Sequence, residues 1–464
     1  MVILRKEDGK MILKRKAYQK LLQWKQRFSS SYALLIEGAR RIGKSTLVEN
    51  FAKDNYKSYI LIDFANTSKG VKDLFDNELS NLDLFFQGLS LEYGVRLYPH
   101  ESLLIFDEVQ RFPKARESIK YLVKDGRYSY IETGSLISIK ENVESILIPS
   151  EEMKLKMYPL DFEEFLLAAG EDVLLDLIED SAKQESPLAD AYHKKAMHLF
   201  QEYLLVGGMP QSVIAYFSNG RDFYASDFAK RQILDLYRDD INKARKRYSS
   251  KVSALFENLP GYLSTHEKKV ILSKAGDENG KFAQYDEPLF WLGDSMICNL
   301  CYKCNDPNVG FALNRDDSSV KCYLGDTGLL FSLAFSENEI ATQNLYSAIM
   351  KGKLSINKGM LYENMIAQML VAKGRGLYFY SHYSEPLHRN DMEIDFLLSN
   401  DSKTSVKVYP LEVKSSKNYT ATSYEAFRAK FGNRIASSYI IHPKQFAKTG
   451  DGYRLPPYYV PFFF

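Results

Sequence analysis

The chain has 464 residues, of which 45% are hydrophobic and 26% charged; 61 Lys and Arg against 59 Asp and Glu leave a net charge of +2. This balance excludes a global polyanion-binding field, so any basic surface must be local, and at roughly 100–200 residues per domain the length suits two to four domains. No stretch approaches the ~18 unbroken apolar residues of a membrane span. The basic start "MVILRKEDGKMILKRKAYQK" lacks an apolar core of signal-peptide length. The four cysteines all lie beyond residue 297, and a reduced, cytoplasmic protein is expected.

Short apolar runs alternate with longer amphipathic stretches through the first half. "ALLIE" (33–37), "SYILIDF" (58–64), "SLLIFDE" (102–108), "YSYIETG" (128–134) and "MKLKMYPL" (153–160) are expected strands. The first four are almost continuously apolar or aromatic, as strands buried in a parallel sheet are. The fifth alternates Met153, Leu155 and Met157 with lysines, which predicts an edge strand. With helical patterns between them, this is a doubly wound α/β layout. From Phe162 to Lys251 the pattern is helical, broken by the turn "VGGMPQ" (206–211). Short helices and strand-like pieces, including "KCYLGDTGLL", follow to Leu330. From Gly359 a helix, "MLYENMIAQMLVAK", leads into the strands "LYFYS", "EIDFLL" and "YPLEVK". The tail "YRLPPYYVPFFF" is expected to pack as a strand or extended segment.

"IEGARRIGKST" (36–46) holds Gly38, Gly43, Lys44 and Ser45 at the spacing G-x-x-x-x-G-K-S. Glycines at this spacing let the backbone turn back, so that N–H groups from Gly38, Ala39, Arg40, Arg41, Ile42, Gly43, Lys44, Ser45 and Thr46 face phosphate oxygens. Lys44 reaches the β- and γ-phosphates, and Ser45 offers a hydroxyl to Mg²⁺. A helix beginning near Lys44 adds the positive end of its dipole. An apolar strand precedes this P-loop and an amphipathic run follows it, as the motif requires. "LLIFDEVQ" then places Asp107 and Glu108 at the end of a buried strand, where two adjacent carboxylates are costly unless they meet a cation or activate water. Asp107 is assigned to Mg²⁺ and Glu108 to the attacking water. In "IETGS", Thr133 or Ser135 is placed to sense the γ-phosphate, with Ser135 as a helix N-cap the alternative.

Taken in order, "GARRIGKST", "LIFDEVQRFP", "ETGS", "MYPLDFEEFL", "LLVGGMPQSV" and "LGDTGLL" resemble the bacterial and archaeal AAA-type P-loop ATPases that carry a C-terminal domain of unknown function. The resemblance runs from about Arg15 to about Gln445. It implies an α/β protein: a RecA/AAA-like parallel sheet, then helical and winged-helix-like segments, then an α/β restriction-endonuclease-like domain. The corresponding boundaries are 1–28 for an N-terminal basic helix region, 29–165 for the ATPase core, 166–250 for the helical segment, 251–335 for the winged-helix-like domain and 336–464 for the nuclease-like domain. The chain departs from the family where many members have a Gly-Arg pair before the "YPL" segment. "ESILIPSEEMKLKMYPL" has no arginine, so the arginine acting on the γ-phosphate is unassigned, with Arg40, Arg41, Arg111 and Arg116 as candidates by proximity.

"MEIDFLL" and "YPLEVKSS" carry Asp395, Glu412 and Lys414 in the Asp…Glu-x-Lys order of PD-(D/E)XK nucleases. Alternation puts Glu393 and Asp395 on one strand face. In such a site the carboxylates hold Mg²⁺ and the lysine orients water; Glu363 on the preceding helix completes a second acidic cluster. The competing readings are a nuclease-like domain that binds without cutting, and a structural ion cluster. Cys298, Cys301, Cys304 and Cys322 lie in an apolar stretch rather than a knuckle, and are expected to be buried residues rather than Zn²⁺ ligands. The basic run "KRQILDLYRDDINKARKRYSSK" (230–251) is either a phosphate grip or a solvated helix face. The function expected is a Mg²⁺-dependent ATPase whose hydrolysis controls DNA-associated modules, with ATP and Mg²⁺ as cofactors and double-stranded DNA as target. The alternative is a nucleotide-controlled switch or scaffold that binds DNA or protein and cleaves nothing.

Overall fold

The apolar runs of the first third become one parallel sheet. The computed structural model describes residues 6–7, 10–134, 149–243, 249–265, 286–308, 310–337, 343–351, 357–386, 388–399, 407–420, 422–450 and 452–464. They divide into a unit of residues 14–158 with 294–296, and a second unit built from the rest. In the first, β1 (Ala33–Glu37), β2 (Ser58–Asp63), β3 (Ser102–Asp107), β4 (Ser129–Gly134) and β5 (Glu152–Lys156) lie in the order β2-β3-β4-β1-β5. All neighbours are parallel. Every residue of β1 and β4 is buried, as continuous apolar runs require. On β5 Leu155 is buried between exposed Lys154 and Lys156, so this strand forms the predicted edge.

Among the described residues, five helices connect or cover these strands: α1 (Ala17–Arg27), α2 (Lys44–Asn55), α3 (Lys69–Asn77), α4 (Leu82–Tyr93) and α5 (Pro113–Asp125). Their ends follow local chemistry. The Ser68 side chain accepts the N–H of Val71 to cap α3, and α5 opens on Pro113 and stops at Gly126 with φ +77°. One side of the sheet packs on an aromatic cluster in which Phe75 meets Phe64, Phe85, Phe106 and Phe112 edge-on at 4.9–5.8 Å, a geometry that favours ring pairs beyond the area they bury.

Beyond Pro159 the chain is helical: α6 (Phe162–Ala168), α7 (Asp172–Lys183), α8 (Asp190–Val206), α9 (Pro210–Ser218), α10 (Phe223–Lys243), α11 (Ser249–Glu257), α12 (Leu259–Ser264) and α13 (Asp286–Asp294). The motifs "YPL", "VGGMP" and "GDTG" meet in one buried junction. Asp326 accepts the N–H of Gly208 at 2.5 Å and of Leu329 at 2.9 Å, and Leu160 donates its N–H to Gly208 O at 2.7 Å. Gly207 has φ +77°, and a Cβ there would lie 2.2 Å from Asp326 Oδ1, so the turn needs glycine on both counts.

Among the described residues, the second unit holds a two-stranded ladder of Lys6–Glu7 with Lys10–Met11 and two larger sheets. Strands β6 (Cys298–Cys304) and β7 (Arg315–Leu324) are followed by α14 (Thr327–Ala334), α15 (Gln343–Met350), α16 (Lys358–Ala372), β8 (Leu377–Ser384) and β9 (Arg389–Ile394). Then come β10 (Phe396–Ser399), β11 (Val408–Val413), α17 (Thr422–Phe431), β12 (Ser438–Ile441), β13 (Ala447–Thr449) and β14 (Gly452–Leu455). The sheets have the orders β9-β8-β6-β7 and β10-β11-β12-β14-β13. The antiparallel pair β6/β7 therefore shares a sheet with β8, which runs parallel to β6. The segment read as one strand, "EIDFLL", is two: Glu393 pairs across to Ser381 in one sheet and Phe396 to Leu411 in the other, with Asp395 at the break. The tail differs from the extended segment expected. After Leu455 it coils into a 3₁₀ turn, Pro457–Tyr459, and a short helix, Val460–Phe463, because Pro457 and Pro461 preset helical φ at first-turn positions.

Candidate functional site

The order of the first sheet positions the candidate nucleotide site. Strand β4 lies between β1, which carries the glycine loop, and β3, which ends at Asp107. The strand order reverses at β1, so the crevice past its carboxyl end is where an open α/β sheet receives a ligand. Gly38 leaves β1 where there is no room for a side chain: a Cβ would lie 2.5 Å from Met157 O and 2.3 Å from Ile42 Cδ1. The loop then turns through two left-handed residues, Arg41 with φ +68° and Gly43 with φ +86°, and α2 begins at Lys44.

Two side chains from two elements converge on the Asp107 carboxylate, with Lys44 bonded to the loop beside them. Ser45 Oγ at the start of α2 donates to Asp107 Oδ1 at 2.9 Å. Thr133 Oγ1, near the end of β4, donates to the same oxygen. Lys44 is buried, and its ammonium donates to Gly38 O at 3.0 Å and Ala39 O at 2.9 Å. Burial pushes Lys44 down to about 8, against the pull of Glu108 and Asp107. Glu108 has φ +53°, a conformation rare for a residue with a side chain and found where function over-determines the backbone. Its Oε2 accepts from Gln110 Nε2 at 2.5 Å, which fixes the direction of the carboxylate. A hydroxyl and a carboxylate are hard oxygen donors of the kind Mg²⁺ takes, so Ser45 and Asp107 fit that ion.

Sequence reasoning missed Arg15. Its guanidinium donates to Ile42 O within the loop at 2.9 Å and to Tyr158 O at 2.6 Å. It ties the glycine loop to the chain just past β5, reaching Tyr158 from 143 residues earlier in the sequence. Of the expected site residues, Ser135 lies outside the described residues. Among the arginines offered for the γ-phosphate, Arg116 is buried and bonded twice to Glu152, at 2.9 and 2.8 Å. Arg41 and Arg111 are exposed and Arg40 is half-buried.

The C-terminal acidic residues also converge, around a cation that the motif does not contain. Lys321 on β7 is fully buried, and its Nζ lies 3.0 Å from Glu393 Oε1, 3.3 Å from Glu363 Oε1 and 3.8 Å from Asp395 Oδ1. Burial works against its charge, but Glu363, Glu393 and Asp395 outweigh that and hold its pKa above the usual lysine range. Tyr323 OH donates to Glu363 Oε1, and Val413 N–H donates to Asp395 Oδ2 at 2.8 Å. Lys414 pairs with Glu412 at 2.9 Å. Burial pushes Glu412 up to about 7; Asp395 adds to this while Lys414 opposes it.

The other candidates have structural positions. All four cysteines are buried thiols on β6 and β7. In the basic run, Lys230 is buried and donates to Leu205 O at 2.6 Å and Tyr346 OH at 3.0 Å. Arg231 pairs with Asp227 at 2.8 Å and Arg238 with Glu257 at 2.7 Å; Arg245 and Arg247 lie outside the described residues. Among the described residues no helix is long and apolar enough to cross a membrane.

Residues 30–166 match the family described as AAA domain, so the first unit is an AAA-type P-loop fold. Residues 197–339 match a domain of unknown function, DUF8612, and residues 358–458 another, DUF4143. No curated protein matches this chain. Among solved structures, the chain is similar to Pif1 helicase from Candida albicans, at 15% identity over 40% of this chain and 47% of that one, with a TM-score of 0.21. It is similar to domain III of the Thermotoga maritima replication initiation protein DnaA, at 16% identity over 47% of this chain and 90% of that one, with a TM-score of 0.22. It is also similar to C. elegans PCH-2, at 14% identity over 48% and 66%, with a TM-score of 0.24. The chain thus spans about half the length of the helicase.

Proposed function

We propose that the protein binds Mg²⁺–ATP in the 38–46 loop and hydrolyses it. The observation that carries this reading is the convergence of Ser45 and Thr133 on Asp107 Oδ1 beside the glycine loop. In the nucleotide complex, the loop N–H groups cradle the phosphates and Lys44 exchanges its two carbonyl partners for β- and γ-oxygens. Ser45 and Asp107 would hold the ion, which when bound would supply positive charge to the phosphoryl oxygens. Glu108 orients water, and Thr133 reports whether a γ-phosphate is present. Lys44→Ala should abolish ATP binding, measured by titration of a fluorescent ATP analogue; unaltered binding would refute the site.

For the rest of the chain, the first reading is that hydrolysis controls winged-helix-like and nuclease-like modules on double-stranded DNA, within roughly the boundaries given by the sequence. A specific observation favours the second, a nucleotide-controlled switch or scaffold whose nuclease-like domain does not cut. Lys414 is paired with Glu412 and Lys321 is bedded among the remaining carboxylates. ATP turnover measured with and without double-stranded DNA tests the DNA reading in both versions, and the absence of any DNA stimulation would count against it. Mg²⁺-dependent cleavage of that DNA would refute the switch.

A further inference from the structure

We propose that Lys321 is the resident cation of the Glu363–Glu393–Asp395 cluster, so that the nuclease-like strands keep their carboxylates as an internal ion cluster and take no divalent metal there. The inference deepens the second reading above and rests on the strands being nuclease-like.

The geometry does not fit a metal. A Mg²⁺ ion draws its oxygens in to 2.0–2.1 Å and needs a near-octahedral set of them. Here three carboxylate oxygens from α16, β9 and the β9/β10 break stand 3.3, 3.0 and 3.8 Å from one nitrogen, respectively. These are the separations of an ammonium from its acceptors and ion-pair partners. The space a metal would take is filled by Nζ, and a second cation beside it would be repelled. Two of the carboxylates have a further donor: Tyr323 donates to Glu363 Oε1 and the Val413 amide to Asp395 Oδ2, while Glu393 Oε2 is buried without a hydrogen-bond partner. Lys414 is on Glu412. Among the described residues no three His, Cys, Asp or Glu side chains converge as metal ligands would.

Lys321 is also placed so that it cannot withdraw. Its backbone sits inside β7, where Lys321 faces Cys301 of β6, and the side chain is fully buried with Nζ 4.9 Å from the centre of the Phe379 ring. A buried ammonium survives only when its charge is compensated, so lysine and carboxylates each require the other. Removing the lysine alone leaves like charges facing one another and reopens the position to a cation.

The test uses the full chain without nucleotide. Mn²⁺ titration followed by electron paramagnetic resonance should show no stoichiometric site in the wild type that Asp395→Ala removes. Lys321→Met keeps the side-chain length and deletes the charge. It should gain such a site, with an unfolding temperature that climbs with the logarithm of Mn²⁺ concentration and does not climb in the double variant with Asp395→Ala. A wild-type Mn²⁺ site lost in Asp395→Ala would overturn Lys321 as the occupant and leave the nuclease-like reading standing. A folded Lys321→Met protein that gains no site would overturn both. The wild-type measurement decides the first point even where the variant fails to fold.

Discussion

Arg15 offers the sharpest test of how the nucleotide loop is held. The loop has no regular hydrogen-bond ladder of its own, and it contains two left-handed residues flanking Ile42. Arg15 grips the Ile42 carbonyl between them and, with its other nitrogen, the carbonyl of Tyr158. Each bond joins a charged donor to a carbonyl, worth about 1.5–3 kcal/mol. Arg15→Ala removes both, a loss of roughly 3–6 kcal/mol at most, part of which water recovers because the site is only partly buried. If about 1.5–3 kcal/mol of the remainder is needed to keep the loop in its binding shape, ATP affinity should fall about 10- to 150-fold. Arg15→Lys places one point donor where a fork reached two carbonyls, and should recover only part of the loss. The assays are ATP affinity by fluorescent-analogue titration and steady-state hydrolysis, where KM should rise far more than kcat falls. An Arg15→Ala protein that binds ATP as the wild type does would refute the argument.

Three further outcomes are expected. Glu108→Gln should leave ATP binding intact and slow single-turnover hydrolysis ~10²-fold or more, as loss of a general base does; normal turnover would remove Glu108 from that role. Asp326→Ala strands the N–H groups of Gly208 and Leu329 in the interior and should cost about 2–4 kcal/mol by urea denaturation, whereas a change below about 1 kcal/mol would mean the junction is not held there. His442 is pushed down to about 4, chiefly by burial, with Arg454 and Lys444 nearby adding to it. Its unfolded value lies near 6.5, so the unfolded chain takes up a proton first: stability is intact above about pH 6.5 and falls by about 3 kcal/mol as the pH drops to 4. A folded His442→Gln variant should show a correspondingly shallower acid loss, and an unchanged slope would point to other groups.

The sheet of the first unit was legible because its central strands are buried on both faces. Continuous apolar runs such as "LLIF" admit few other readings once they are only five or six residues long, and lysines interleaved along 153–157 told edge from centre. The P-loop was legible for a different reason: backbone turned toward phosphate demands glycine at set intervals, and that demand is written locally. The contact of Thr133 with Asp107 was reachable because Thr133 lies near the end of a strand between the loop strand and the Asp107 strand. Arg15 was not, since a lone arginine in a basic leader carries no spacing that marks it. Its partners are two backbone carbonyls, and carbonyls have no sequence signature.

The C-terminal cluster shows the limit more clearly. The spacing of Asp395, Glu412 and Lys414 predicts groups on adjacent strands; those strands form, with Glu412 inside β11, Asp395 at the β9/β10 break and Lys414 just past the end of β11. Charge compensation, however, is a property of the whole neighbourhood. Lys321 comes from a strand 42 residues before Glu363, inside "VKCYL", where alternation alone would give a half-exposed lysine on a sheet. Its burial follows only from the docking of β6 beside β8 and from α16 presenting Glu363 to Lys321 and Tyr323. The break at Asp395 depends on the same docking, because one half of "EIDFLL" pairs in each sheet. A motif of acidic residues therefore fixes the number of negative charges to be met, and the fold decides which cation meets them; here the chain supplies its own.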